Sequence, residues 1–134
     1  MFTRRMLFAF VAAAVLAAGP ARASQPFDPA AFAAAKAAGG IVVVHVAAPW
    51  CPICRAQKPI LAKLAAQPRF GDPAIFEIDF DNDKPSVRSV GARLQSTLIV
   101  YKGEREVGRT VGDREEGWIE ELFEKALAAP AAPR

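Results

Sequence analysis

Ile41-Val42-Val43-Val44-His45-Val46-Ala47-Ala48-Pro49-Trp50-Cys51-Pro52-Ile53-Cys54 is the stretch that decides the fold. Ile41 to Ala47 are dominated by β-branched residues and do not alternate with polar ones, which is the pattern of a strand covered on both faces. The chain then passes through Pro49 to Cys54 into a helical pattern that reaches about Ala66. Pro59 lies inside that pattern, lacks an N–H and is expected to kink the helix. A buried strand running into a helix, with both cysteines at the junction, is therefore the central unit.

Reading outward toward the N-terminus, Asp28 and Pro29 supply an N-cap and a first helical residue. They open an Ala-rich helix over Ala30 to Ala38, closed by Gly39-Gly40. Ser24 to Phe27 reads as a short exposed lead-in. Toward the C-terminus, Ala74 to Phe80 reads as a second strand, and Asp81 to Lys84 turns into a short helix through Val90. Thr97 to Tyr101 and Arg105 to Val111 form two strands around a Lys102-Gly103 turn. Asp113, with Glu116 three residues on, predicts a capped final helix. Its apolar face is Trp118, Ile119, Leu122, Phe123 and Leu127, and the Ala-Pro segment after Ala128 reads as a loose tail. This order predicts a three-layer α/β domain with a mixed sheet of four to five strands flanked by helices.

Residues 1–23 read as a secretory signal. Arg4 and Arg5 precede an apolar run from Leu7 to Ala18, and Ala21-Arg22-Ala23 offers small residues for cleavage before Ser24. The run holds 12 residues, short of the roughly 20 that span a hydrocarbon core. No stable membrane insertion is expected after cleavage. Thr3-Arg4-Arg5-Met6-Leu7 is similar to a twin-arginine signal, but the general secretory route is favoured. The expected domain is 24–134, with its core over 28–128. The whole chain has 134 residues, 52% of them hydrophobic, and a formal charge of +3 from 17 basic and 14 acidic residues. Three of the basic residues, Arg4, Arg5 and Arg22, lie in the leader without an acid, so the remainder carries 14 of each sign. The basic excess thus belongs to the leader, and a nucleic-acid groove is not expected.

The two cysteines are the only ones in the chain. Their spacing puts both near the first turn of the helix, where free N–H groups and the helix dipole favour an anion. Thiolates at such places have pKa values lowered from ~8.5 to between ~3.5 and ~7.5. Cys51, at the extreme N-terminus beside Trp50, is the better nucleophile, and Cys54, a turn further in, suits the resolving role. The chemistry is thiol–disulfide exchange through a mixed disulfide. Two alternatives stand beside it. A structural bridge would close a four-residue loop worth roughly 2 kcal/mol, against roughly 4.7 for a 100-residue loop. A metal site would have His45 as the one further soft ligand outside the leader, and so would need a second chain or an unfilled shell.

Ala48-Pro49-Trp50-Cys51-Pro52-Ile53-Cys54, Pro59 five residues after the second cysteine, and the final hairpin and helix together resemble the thioredoxin family. The resemblance covers about residues 28 to 128. It implies a thioredoxin-like fold, dithiol–disulfide activity on protein substrates with a redox partner protein, and no bound cofactor or metal. A monomer acting in the periplasm or outside a bacterial cell is the expected form. Trp50 is expected to shield the dithiol and guide partners, and Pro59 to be structural. The alternative function is a non-catalytic module of the same fold that uses the dithiol to hold a soft metal or a client protein. A third is a structural domain with an inert bridge.

Three positions depart from the family pattern. Pro52-Ile53 stands where cytosolic thioredoxins carry Gly-Pro. Ser96 stands where the family has a cis-proline facing the cysteines. A non-proline cis bond costs about 3–4 kcal/mol, so Ser96 is expected in trans with a locally altered loop. Its hydroxyl either donates to the Cys51 thiolate or belongs to an exposed loop. His45 takes the place of a buried Asp, and Glu77 falls near the position of the partner lysine. His45 and Glu77 are expected to approach one another beneath the cysteines, with His45 taking up the Cys54 proton. The plainer alternative is a core histidine bonded to a backbone carbonyl. Asp79, Asp81 and Asp83 alternate as in a calcium loop, but lack the glycine and glutamate at the needed offsets, and read as a solvated strand end with a helix cap. No phosphate loop, nucleophile elbow or dinucleotide fingerprint is present.

Overall fold

The computed structural model describes residues 24–130, so the leader reading and the end of the tail lie outside the described residues. Along that span run β1 (Gln25–Pro26), α1 (Pro29–Ala37), β2 (Ile41–Ala47), α2 (Pro52–Ala65), β3 (Ala74–Asp79), α3 (Lys84–Ser89), β4 (Thr97–Lys102), β5 (Arg105–Val111) and α4 (Glu116–Ala128). A short 3₁₀ turn at Pro68–Phe70 joins α2 to β3. The strands make one sheet in the order β1-β3-β2-β4-β5. β1, β3 and β2 are parallel, while β4 runs antiparallel to β2 and β5 to β4. Adjacent parallel strands need a crossover, which α2 provides between β2 and β3.

All seven residues of β2 are buried, because helices cover the sheet on both sides. Successive strand side chains point to opposite faces. Ile41 and Val43 therefore pack with Leu61 and Leu64 of α2 and with Ile119, Leu122 and Phe123 of α4. Val42, Val44 and Val46 pack on the other face with Phe32 of α1 and Val87 of α3. Phe32 sits edge-on to Phe76 and to Tyr101, with ring centroids 5.7 and 5.4 Å apart. By the same alternation His45 and Glu77 share the α2 side with Val43 and Ile75. That parity places a histidine and a glutamate in a largely apolar layer.

Asp28 caps α1 as expected, its carboxylate accepting the Ala31 N–H at 2.8 Å. Elsewhere the structure corrects the sequence expectations. Gln25 and Pro26 are not a free lead-in, since they pair with Phe76 and Glu77 as an edge strand, and the Phe27 N–H continues the contact to the Glu77 carbonyl at 2.9 Å. Two residues are too few to show a period. Asp113 does not cap α4, whose N-cap is Glu115; its carboxylate accepts the Thr110 hydroxyl instead. The inward stripe of α4 is Ile119, Leu122, Phe123 and Ala126, while Trp118 and Leu127 are exposed. Among the described residues no helix is long and apolar enough to cross a membrane.

Candidate active site

β2 ends at Ala47, and the chain reaches the first turn of α2 within five residues. Cys51 has extended backbone angles (φ −86°, ψ 109°) and is the N-cap of α2. Its Sγ accepts the Cys54 N–H at 3.1 Å, filling the place that a Ser or Asp oxygen takes at other helices. This sulfur therefore faces the positive end of the helix dipole and an otherwise orphan donor. Cys51 and Cys54 are joined as a disulfide with Cα atoms 5.3 Å apart. Both are buried, Cys54 completely, and they cluster with Ala47 and Ala48 under Ile53 and Phe80. α2 continues through Pro59 to Ala65.

Trp50 stands beside the disulfide with more than half its surface exposed. Its indole Nε1–H donates to Asp81 Oδ2 at 2.8 Å, which fixes the ring's direction. Asp81 is itself held in a turn in which Asp79 accepts the N–H groups of Asp81 and Asn82 at 3.0 and 3.2 Å. The Asn82 side-chain and backbone hydrogen bonds hold the Asp79 carboxyl below its usual range. Asp83 caps α3 through the Ser86 N–H at 3.2 Å. The three aspartates thus act as turn and cap residues. Arg55 donates to the Pro49 carbonyl at 3.3 Å, which brings a guanidinium to the loop before Cys51.

The expected approach of His45 and Glu77 holds at the level of the backbone, because the two are register partners on β2 and β3. Their side chains engage other groups. Glu77 pairs with Lys58 of α2 at 3.2 Å, and His45 Nε2 lies 3.0 Å from Gln57 Oε1. His45 is thus not bonded to a backbone carbonyl, the plainer alternative for a core histidine. Burial pushes its pKa below 6.5, with the Gln57 bond and the Glu77 charge opposing less strongly. The ring also lines a cavity of about 350 Å³ together with Ser24, Lys58, Leu61 and Glu77.

Ser96 is buried and adopts a left-handed conformation, φ +54°. No cis peptide occurs among the described residues. Its hydroxyl donates to the Gln95 carbonyl at 2.6 Å, so neither of the two expected placements, at the Cys51 sulfur or in an exposed loop, is found. The Ser96 carbonyl accepts the Gly112 N–H at 3.0 Å and Gln57 Nε2 at 3.1 Å. Gln57 Nε2 also donates to the Asp113 carbonyl at 2.7 Å. Gln57 is fully buried and was not singled out from the sequence. Its signal lies in α2, where Cys54, Gln57, Leu61 and Leu64 form the inward stripe; a polar residue there must find buried partners.

The family model for thioredoxin matches residues 24–125, from β1 into α4. A thioredoxin H-type of Fagopyrum esculentum is 31% identical over 99 residues, covering 74% of this chain and 81% of its own length. The thioredoxin of Chlamydia muridarum is 32% identical over 88 residues, 66% of this chain and 84% of its own. Among solved structures, Trxlp from Edwardsiella tarda superposes with a TM-score of 0.70 at 37% identity, over 73% of this chain and 95% of that one. A mutant thioredoxin from Halobacterium salinarum gives 0.71 at 22% identity over 83% of this chain and 96% of its own, a likeness of fold alone. With a matched span that includes the whole sheet and a Cys-Pro-Ile-Cys pair at the start of α2, the chain belongs to the thioredoxin family and is a thiol–disulfide oxidoreductase.

Proposed function

We propose that this oxidoreductase is exported and exchanges its dithiol with disulfides of protein substrates. Cys51 is the nucleophile and Cys54 the resolving thiol, and the protein works as a monomer with a redox partner protein that restores its starting state. The observation that supports these roles is the seat of Cys51 at the N-cap of α2, with its Sγ on the Cys54 N–H at 3.1 Å. A thiolate there is favoured by the donor and by the dipole, whereas Cys54 lies inside the first turn.

In the reducing direction, the Cys51 thiolate attacks one sulfur of the substrate disulfide and the other leaves as a thiolate that takes up a proton. Cys54 then loses its proton and attacks Cys51 Sγ. The Cys51–Cys54 bond forms, the Cys51–substrate bond breaks, and the second substrate sulfur leaves with the electron pair. His45, kept neutral near pH 7 by burial, receives the Cys54 proton and passes it on to water or to the departing thiolate. Trp50, pinned by Asp81, and the backbone around Ser96 flank the substrate.

The apolar leader over residues 7–18 and the small residues before Ser24 support export. Insulin reduction by residues 24–134 tests the proposal. Turnover that disappears in Cys51→Ser supports it, and an undiminished rate in that variant overturns it. A reduction potential near about −270 mV assigns a reductant, and one near about −120 mV an oxidant.

A further inference from the structure

We infer that Gln57 is a positioning residue that locks His45 as the Nε2–H tautomer and so makes Nδ1 the nitrogen that accepts the Cys54 proton. The second half rests on the proton-acceptor role just given to His45; the first half stands on hydrogen-bond geometry.

The carboxamide of Gln57 has its nitrogen 3.1 Å from the Ser96 carbonyl and 2.7 Å from the Asp113 carbonyl. Both partners are acceptors without a proton. Turning the amide over would set its oxygen against two carbonyl oxygens and forfeit both hydrogen bonds. The orientation is therefore forced, and Gln57 Oε1 must be the atom facing His45 Nε2 at 3.0 Å. A carbonyl oxygen only accepts, so Nε2 must carry the hydrogen. In the neutral ring the lone pair is then left to Nδ1.

The two nitrogens sit in different surroundings. Nε2 points into the closed network, where it is a spectator throughout the reaction. Nδ1 has no hydrogen-bond partner among the described residues, yet no buried side-chain nitrogen or oxygen there lacks a partner, so Nδ1 is the nitrogen reached from the cavity of about 350 Å³ that the ring lines. The charges that act on the ring are Glu77 from β3 and Lys58 from α2, paired to each other at 3.2 Å. On the β4 side the register partner is Leu98, which does not titrate. The cavity lining holds neither cysteine, so the transfer runs through solvent. On resolution the Cys54 S–H bond breaks and its proton passes to water. Nδ1 takes a proton from the same water to give the imidazolium, and the sulfur keeps the electron pair with which it attacks Cys51. The imidazolium still donates from Nε2 to Gln57, so the network survives proton uptake unchanged. Because Gln57 lies three residues after Cys54 on the same helix face, the group that sets the tautomer is carried by the element that carries the thiol.

The chain has a single histidine, so the ring nitrogens of the ¹⁵N-labelled reduced protein give one unambiguous long-range ¹H–¹⁵N pattern. Above pH 7 the spectrum should show a protonated Nε2 and a bare Nδ1. In Gln57→Leu both nitrogens should move to averaged, intermediate shifts, and resolution of a trapped mixed disulfide should slow roughly tenfold at pH 7. Gln57→Glu keeps an acceptor at Nε2 but adds a negative charge, so the neutral ring should appear at a pH higher by about one unit or more. A wild-type spectrum with Nδ1–H or with averaged shifts overturns the lock, as does a folded Gln57→Leu that keeps the wild-type pattern. Should Gln57→Leu fail to fold, the wild-type spectrum decides alone. A correct tautomer together with an unchanged pH profile of resolution in His45→Gln overturns the acceptor role and leaves the lock standing.

Discussion

Replacing Ser96 by proline, the residue that the family pattern carries at this position, is expected to destabilise this protein. Ser96 holds φ at +54°, a region that costs an L-residue roughly 1–2 kcal/mol. Its carbonyl accepts from Gly112 N at 3.0 Å and from Gln57 Nε2 at 3.1 Å. Proline is confined to φ near −65°, a rotation of roughly 120° that carries the carbonyl away from both donors. Each buried donor left without its partner costs about 1–3 kcal/mol. Proline's smaller unfolded-state entropy returns about 0.4–1 kcal/mol and release of the left-handed angle about 1–2 kcal/mol, leaving a net loss of about 2 kcal/mol at the middle of these ranges. Glycine at the same place removes the left-handed penalty but gives up chain entropy and the hydroxyl bond to Gln95, so Ser96→Gly should fall within about 1 kcal/mol of wild type. Urea unfolding of the oxidised proteins at pH 7 measures both. Ser96→Pro should lower the urea midpoint by the equivalent of about 2 kcal/mol; a proline variant as stable as wild type would refute the role given to the φ angle and the doubly bonded carbonyl.

Two further outcomes follow from the same geometry. His45 has its pKa lowered below 6.5 by burial, so between 6.5 and the folded value the unfolded chain binds more protons, and stability must fall as pH drops through that window. The urea midpoint should therefore decline below pH 6.5 in wild type and stay flatter in His45→Gln; Asp79, lowered from 3.8, loses its contribution only as pH falls toward and below 3.8 and does not confuse the comparison. Asp81→Ala removes the acceptor for the Trp50 indole, and in a Trp118→Phe background it should change Trp50 emission and slow exchange while altering stability by less than about 1 kcal/mol.

The β2-to-α2 unit was legible because burial on both faces writes an unbroken β-branched run and because a helix start needs distinctive residues. The positions of His45 and Glu77 on one face followed from strand parity, which a count along two strands can supply. What their side chains touch did not follow, since Lys58 and Gln57 reach them from α2 and the sequence does not state the helix's rotation over the sheet. Ser96 was legible as a departure, but its left-handed angle and its two donors are fixed by Gly112 and Gln57, both distant in sequence. The cap of α4 was misplaced because Asp113 had a stronger local partner in Thr110. The edge strand at Gln25 was invisible because two residues draw their order from a neighbour rather than from their own pattern.

Trapping of the mixed disulfide tests most directly whether Cys51 is the nucleophile. Oxidised insulin incubated with reduced Cys54→Ser and with reduced Cys51→Ser, followed by acid quenching and non-reducing electrophoresis, reports which sulfur attacks. A stable adduct through Cys51 is expected in the Cys54→Ser protein and little or none in Cys51→Ser. Equal adducts in the two variants, or an adduct only through Cys54, would contradict the assignment of Cys51 at the N-cap of α2 as the nucleophile.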